Sequence, residues 1–260
     1  MDPKWFEEQK EEIGLALARQ GIRLVVPVTP RTQRGKDAAG RGKTLASYID
    51  HTLLKPTASQ AQIGELCAEA LRYHFASVCV NPVHVPQAAS LVSGSDVKVC
   101  TVIGFPLGAT STLSKVLEAR DAVAAGADEI DMVINIGSLL ERDYAKAYSD
   151  IKAIRDAVPG QVLKVILETG YLSKEQVVRG CILTKMAGAD FVKTSTGFGP
   201  GGATTEDISL MRDVVGPDFG VKASGGDYAT AMAMIKAGAN RIGASAGIAI
   251  IEGLRGETDY

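Results

Sequence analysis

Three times in this chain a helical pattern ends and a strand pattern begins at nearly the same four letters. They are AGAD at Ala125–Asp128, AGAD at Ala187–Asp190 and AGAN at Ala237–Asn240. A glycine in that place suits the left-handed residue that closes a helix, so one kind of joint is built repeatedly. Around these joints strand-like and helix-like segments alternate with short connections. Apolar runs suited to strands occupy Ser47–Asp50, Ala76–Asn81, Val97–Gly104, Glu129–Ile136, Val162–Glu168, Asp190–Thr196, Gly220–Ser224 and Arg241–Ser245. Helical periodicity fills the gaps over Gln60–Tyr73, Pro86–Val92, Thr112–Ala125, Leu139–Val158, Lys174–Ala187, Thr205–Val215 and Tyr228–Ala237, with a last segment after Gly247. Strand-then-helix order demands parallel strands, because each crossover must carry the chain back to the same end of the sheet. Eight such units in roughly 210 residues fit an α/β fold of the closed (β/α)8, or TIM, barrel type, whose usual size is about 250 residues. The alternative is a doubly wound open sheet. No GxGxxG follows the first strand to favour it.

The barrel is expected over 45–260, ending in the short tail GLRGETDY, where Tyr260 is read as disordered rather than functional. Residues 1–44 form a separate N-terminal part. Asp2 and Pro3 suit the cap and first position of a helix that Gly21 would end. Trp5, Phe6, Ile13 and Leu17 give that helix an apolar stripe to pack on something, conceivably another copy of the chain. Residues 29–44 are polar, glycine-bearing and basic, and read as a mobile linker.

The charge balance, 28 Lys and Arg against 30 Asp and Glu, offers no footprint for nucleic acid or an anionic membrane. No run of 18 apolar residues and no secretory leader are evident. Cys67, Cys79, Cys100 and Cys181 are scattered without a CxxC pair, the usage of reduced thiols in a cytoplasmic protein. The three histidines lack metal-ligand spacing, and no metal site is expected.

The chemistry lies in the strands. In ADFVKTSTG, Ala189–Gly197, an ammonium at Lys193 stands where the pattern asks for a hydrocarbon. Such a lysine escapes to solvent, finds a partner or becomes neutral, and a neutral amine is a nucleophile toward carbonyls. Asp131 in EIDMVINI and Lys222 in GVKASGG are likewise charges inside predicted strands. Lys164 and Glu168 in VLKVILETG are spaced to share one side of a strand. Opposite charges on several strands of one barrel imply a mutually paired cluster at the C-terminal mouth. Two amines near each other disfavour each other's protonation, while a carboxylate can move protons. That set suits iminium chemistry at a carbon–carbon bond. Residue physics leaves open whether Lys193 or Lys222 attacks. Glycines and hydroxyls near the last strands (Gly225, Gly226, Gly243, Ser245, Gly247) suit a phosphate held by backbone N–H groups, although they could also simply close tight turns.

ADFVKTSTG, VKASGG, GADEIDMVINIG, IGFPLGATST, IDHTLLKP and LKVILETGYL together resemble the deoxyribose-phosphate aldolases, in the family's order, over Ser47–Gly247. The resemblance implies a barrel that reversibly cleaves 2-deoxyribose 5-phosphate to acetaldehyde and glyceraldehyde 3-phosphate without metal or organic cofactor. It implies Lys193 as the Schiff-base lysine, Lys222 as the lysine that tunes it and Asp131 as the acid/base. Asp50, Thr52, Leu54 and Cys79 would line the substrate pocket, and Lys164 would support the charge network. Gly197, Gly225, Gly226, Gly243 and Ser245 would meet the phosphate. The expected partners are small aldehydes and a sugar phosphate, with the chain assembled as a homo-oligomer, dimer or tetramer. Three positions depart from the family. Phe198 stands where some members carry a lysine, Asp227 and Tyr228 where many carry a hydrophobic residue and an arginine, and Ala246 in place of a second serine. Charge-assisted contacts contribute roughly 1.5–3 kcal/mol each, so weaker discrimination for phosphate is expected. Competing readings are another Schiff-base barrel such as a transaldolase, an isomerase of the triosephosphate type, and a binding barrel whose lysines only hold an anion. No histidine in the later strands supports the isomerase.

Overall fold

The computed structural model describes residues 1–23 and 44–253. The expected linker, apart from Thr44, and the tail beyond Gly253, with Tyr260, lie outside those residues. Eight parallel strands close into a barrel in chain order: β1 (Ile49–Leu53), β2 (Ser77–Val80), β3 (Lys98–Ile103), β4 (Glu129–Val133), β5 (Val162–Ile166), β6 (Phe191–Lys193), β7 (Gly220–Ser224) and β8 (Arg241–Ala244). Closure is made by β8 on β1, with Asp50 opposite Gly243 and His51 opposite Ala244. The expected fold class holds.

The repeated joints have a tertiary purpose. Gly126, Gly188 and Gly238 all take positive φ, at 109°, 80° and 119°, which an L side chain resists. The residue two further on then exchanges two hydrogen bonds with the strand before it. Asp128 Oδ2 accepts from Val99 N, Asp190 Oδ2 from Leu163 N and Asn240 Oδ1 from Val221 N, each at 2.9 Å. Their own N–H groups donate to the carbonyls of the same three residues at 2.8 Å. Strands β4, β6 and β8 are thereby stapled to β3, β5 and β7 at the N-terminal end of the barrel. An amide does at Asn240 what a carboxylate does at the other two, because the oxygen only has to accept.

Helix ends follow local chemistry. Ser59 with Gln62 and Ser173 with Gln176 form reciprocal capping boxes, and the helices Gln60–Tyr73, Thr205–Val215 and Tyr228–Ala237 match expectation. Other boundaries differ, strand β4 ending at Val133 rather than Ile136 among them. The first strand begins at Ile49, since Leu45–Tyr48 form a 3-10 turn in which Ser47 donates twice to the Thr44 carbonyl. The helix expected over Leu139–Val158 is two, Ile136–Leu140 and Tyr144–Ala157, because Arg142 turns left-handed (φ 60°) and Asp143 caps the second one through Lys146 N. Strand β6 stops at Lys193; beyond it Thr194 N still donates to the Lys222 carbonyl of β7, while Thr196 turns to the Glu168 carboxylate.

The N-terminal helix α1 (Pro3–Arg19) is capped by Asp2 as expected. It lies against the helices Tyr144–Ala157 and Lys174–Met186 of its own barrel. Ile13 and Leu17 are fully buried there, roughly 1.5–3 kcal/mol each. Arg179 reaches Gln9 Oε1 and Glu12 Oε2 at 2.8 Å. The apolar stripe is thus used within the chain. Among the described residues no helix is long and apolar enough to cross a membrane.

Candidate active site

Period-2 alternation turns every second strand residue toward the barrel axis, and the charged ones meet there. Asp131 on β4 is the hub. Its Oδ2 receives Lys193 Nζ at 2.9 Å and Lys222 Nζ at 2.8 Å, and its Oδ1 receives Lys164 Nζ at 2.8 Å. From there the pairs run in a closed ring. Lys222 meets Asp50 Oδ2 at 2.5 Å, Asp50 accepts from Arg241 Nε at 2.7 Å, Arg241 Nη2 meets Glu129 Oε2 at 2.9 Å, and Glu129 meets Lys164 at 2.6 Å. Ser77 Oγ adds a bond to Asp50 at 2.7 Å.

Three carboxylates therefore face four cations, one positive charge in excess. Lys164, Lys222 and Arg241 each touch two carboxylates, whereas Lys193 touches a single oxygen that it shares with Lys222. Lys193 is also the least buried member, with 6% of its side chain accessible against 0% for Lys164 and Lys222. Burial alone would raise the Asp131 carboxyl, but Lys164, Lys193 and Lys222 overcome it and hold the group well below the usual carboxylate range. Burial would strip the Lys222 ammonium of its proton, yet Asp131 and Asp50 drive it well above the usual amine range. Lys164 is raised against the same burial by Asp131, Cys100 and Glu129. Lys222 is accordingly held as a cation between two carboxylates, and Lys193 is the least buried of the three amines, with one carboxylate oxygen for a partner.

Every charged residue expected at the mouth reaches this cluster except Glu168. The expected Lys164–Glu168 pair does not form. Strand β5 ends at Ile166, Glu168 turns left-handed (φ 56°), and its carboxylate accepts from Thr196 N and Oγ1. It thereby braces the segment after Lys193, which Thr194 and Ser195 also tie to β7 through Ser224. Asp50 differs in position from its expected pocket wall, being the buried counter-ion of Lys222 and Arg241. Thr52 is buried beside it, bonded to the Asp50 carbonyl at 2.8 Å. Leu54 and Cys79 form a small apolar cluster with Cys100, Val102 and Phe105. Glu129, Arg241 and Cys100 were not anticipated. For Glu129 the signal was present, two residues before Asp131 and so on the same face of β4.

Cys79, Cys100 and Asp131 are the one set among the described residues with ligand atoms close enough to share a metal ion. Asp131 already holds three ammonium groups, and Lys164 Nζ lies 3.3 Å from Cys100 Sγ. A cation does not suit that set.

The glycine turns after β7 and β8 are neighbours: Gly225 N donates to the Gly243 carbonyl, and a Cβ on Gly225 would lie 2.7 Å from that of Ala244. Ser245 is half-buried beside them, and Gly197 follows Thr196 with φ 90°. Asp227, expected as a carboxylate near a phosphate, caps the helix Tyr228–Ala237 through Thr230 N and Oγ1 at 2.9 and 2.8 Å. Phe198 is 43% exposed and sets its edge against Phe105, with centroids 5.4 Å apart.

A closed barrel with two amines on one buried carboxylate defines a carbonyl-condensing barrel enzyme. The sequence profile of the DeoC/LacD family aldolases matches residues 44–253. The deoxyribose-phosphate aldolase of Clostridium perfringens is 60% identical over 219 residues, 83% of this chain and 98% of the relative, and that of Macrococcus caseolyticus is 57% identical over 218 residues, 83% and 99%. Among solved structures, the aldolase QR15 superposes with TM-score 0.77 at 44% identity, covering 80% of this chain and 94% of its own. The tetrameric deoxyribose phosphate aldolase of Aeropyrum pernix gives 0.75 at 35%, covering 85% and 95%. The chain belongs to the DeoC/LacD aldolase family, and it is an aldehyde-lyase.

Proposed function

We propose that this chain cleaves 2-deoxy-D-ribose 5-phosphate reversibly to acetaldehyde and D-glyceraldehyde 3-phosphate through a Schiff base on Lys193. One observation carries the assignment of roles: Lys193 and Lys222 share a single oxygen of Asp131, and Lys193 is the less deeply buried of the two. Neutral Lys193 adds to the C1 carbonyl of the open-chain sugar, and the carbinolamine loses water to leave an iminium. Asp131 supplies and recovers protons, and Lys222 stays positive beside the forming oxyanion. Deprotonation of the C3 hydroxyl breaks C2–C3, whose electron pair moves into the iminium to give an enamine. Glyceraldehyde 3-phosphate leaves. The enamine takes a proton at carbon, and water releases acetaldehyde from Lys193. Reduction with borohydride in the presence of acetaldehyde tests this directly. One N-ethyl group on Lys193 is expected by peptide mapping; no adduct, or an adduct elsewhere, sinks the reading.

Gly197, Gly225, Gly226, Gly243 and Ser245 hold the phosphate in this reading, largely through backbone N–H groups. With Phe198 edge-on to Phe105 and Asp227 committed to a helix cap, cationic contacts expected of many relatives are replaced. The kcat/KM ratio between deoxyribose 5-phosphate and deoxyribose should therefore be lower than with those contacts by one to a few decades, about 1.5–3 kcal/mol per contact. A phosphate preference of many decades would refute it. In the same reading the chain is a cytoplasmic homo-oligomer that works without nucleic-acid or membrane partners. Support comes from four buried free cysteines, a near-neutral charge balance and the tetramer described for the Aeropyrum pernix relative. The division into an N-terminal part, 1–44, and a catalytic barrel, 45–260, is kept in the same reading.

A further inference from the structure

The proposed chemistry leaves one buried histidine without a role. His51 lies between Asp50 and Thr52 on β1, faces away from the barrel axis and is 3% exposed. Its Nε2 meets Glu69 Oε2, on the helix Gln60–Tyr73, at 2.6 Å. The ring tilts against Phe75 with centroids 5.0 Å apart. Phe75 stacks on Tyr73, whose hydroxyl donates to Glu252 Oε1 at 3.0 Å, just past the final short helix Gly247–Ile251. At the start of that helix the Nδ1 edge of His51 faces Gly247. A Cβ added at Gly247 would lie 2.7 Å from Nδ1, 3.1 Å from Ile49 Cγ2 and 3.3 Å from Phe75 Cε2. Nδ1 closes no hydrogen bond of good geometry. Burial lowers the imidazole below its ordinary value, against Glu69 and the backbone of Ala244, the register partner of His51, which both favour the proton.

The helix Gln60–Tyr73 therefore grips both ends of the last helix, and the grip at its start passes through one imidazole. With Glu69 holding Nε2, the ring has a single orientation, and its other edge meets the backbone that leads from Gly243 and Ser245 into Gly247. We infer that His51 is a positioning residue for the phosphate end of the site: clamped by Glu69, it sets the Ala244–Gly247 turn, and glycine at 247 is what leaves room for the ring. The inference rests on the reading of Gly243 and Ser245 as phosphate contacts. A histidine that merely filled space outside β1 would affect folding without regard to which sugar is bound.

The discriminating measurement is KM and kcat for deoxyribose 5-phosphate and for deoxyribose in His51→Ala, Gly247→Ala and the double variant. Each single change should raise KM for the phosphorylated sugar roughly three- to tenfold, with kcat/KM for deoxyribose within about twofold of wild type. The double variant should lose less than the product of the two, since the alanine methyl at 247 then enters space the ring has left. Glu69→Gln, altered on the more exposed side of the pair, should keep the melting temperature and shift KM the same way by a smaller factor. Equal losses on both sugars, independent effects in the double variant, or no KM shift in Glu69→Gln would overturn the proposal. Failure of the underlying substrate reading has a different signature, a wild-type enzyme that cleaves neither sugar.

Discussion

Lys193→Met is expected to abolish reductive trapping by acetaldehyde and to lower kcat/KM for deoxyribose 5-phosphate by at least about four decades, or ~5.4 kcal/mol of barrier. The loss is that large because the iminium is the electron sink, and no neighbouring amine can replace it. Lys222 lies fully buried between Asp131 and Asp50, and Lys164 between Asp131 and Glu129, both held as ammonium ions. Lys193→Arg separates the charge from the nucleophile. It restores a cation beside Asp131 and should still give no adduct. Lys222→Met behaves differently in this scheme. The adduct still forms on Lys193, while turnover falls by roughly two to four decades for want of the fixed cation and its proton traffic. An adduct on Lys222 in the Lys193→Met enzyme would reverse the assignment.

Asp131→Asn is expected to damage both activity and stability. The carboxylate bridges three ammonium groups from three different strands, and an amide keeps the shape while removing the charge. Breaking a buried pair by neutralising one partner costs roughly 3–5 kcal/mol, because the remaining charge is left uncompensated in a dry interior. Turnover should fall by about two to four decades for loss of the proton carrier. The stability difference also carries a pH signature. Asp131 is held below the carboxylate range in the folded chain, so its contribution is complete above an unfolded value of about 3.9 and is lost as pH falls below it. Unfolding curves at pH 7 and near pH 3 should therefore show a wild-type advantage that narrows in acid. An advantage that stays constant over that range would remove Asp131 from the centre of the network.

Much of the site could be read in advance because its members break a local pattern. Lys193, Lys222 and Asp131 are charges within apolar runs, and Lys164 is another. Glu129 and Arg241 escaped notice because each opens its strand, where a charge ordinarily marks a boundary with solvent. Glu168 misled in the opposite direction: its spacing from Lys164 presumes a strand that continues, and the backbone turns left-handed before reaching it. The repeated AGAD joints announced an internal rhythm. The backbone N–H that each terminal Asp or Asn satisfies lies 19–29 residues earlier in the chain, beyond the reach of any local pattern.

From sequence alone the barrel, the order of its strands and the three central ionisable residues were determined, since alternation and misplaced charge are local properties. Tertiary structure alone decided how the three lysines are partnered. Arg241 and Asp50 stand 191 residues apart and meet only because β8 closes on β1. That closure completes the ring of ion pairs in which Lys222 and Lys164 each face two carboxylates while Lys193 faces one oxygen of Asp131. Electrostatic balance belongs to the closed ring of charges, and no single segment of chain contains it.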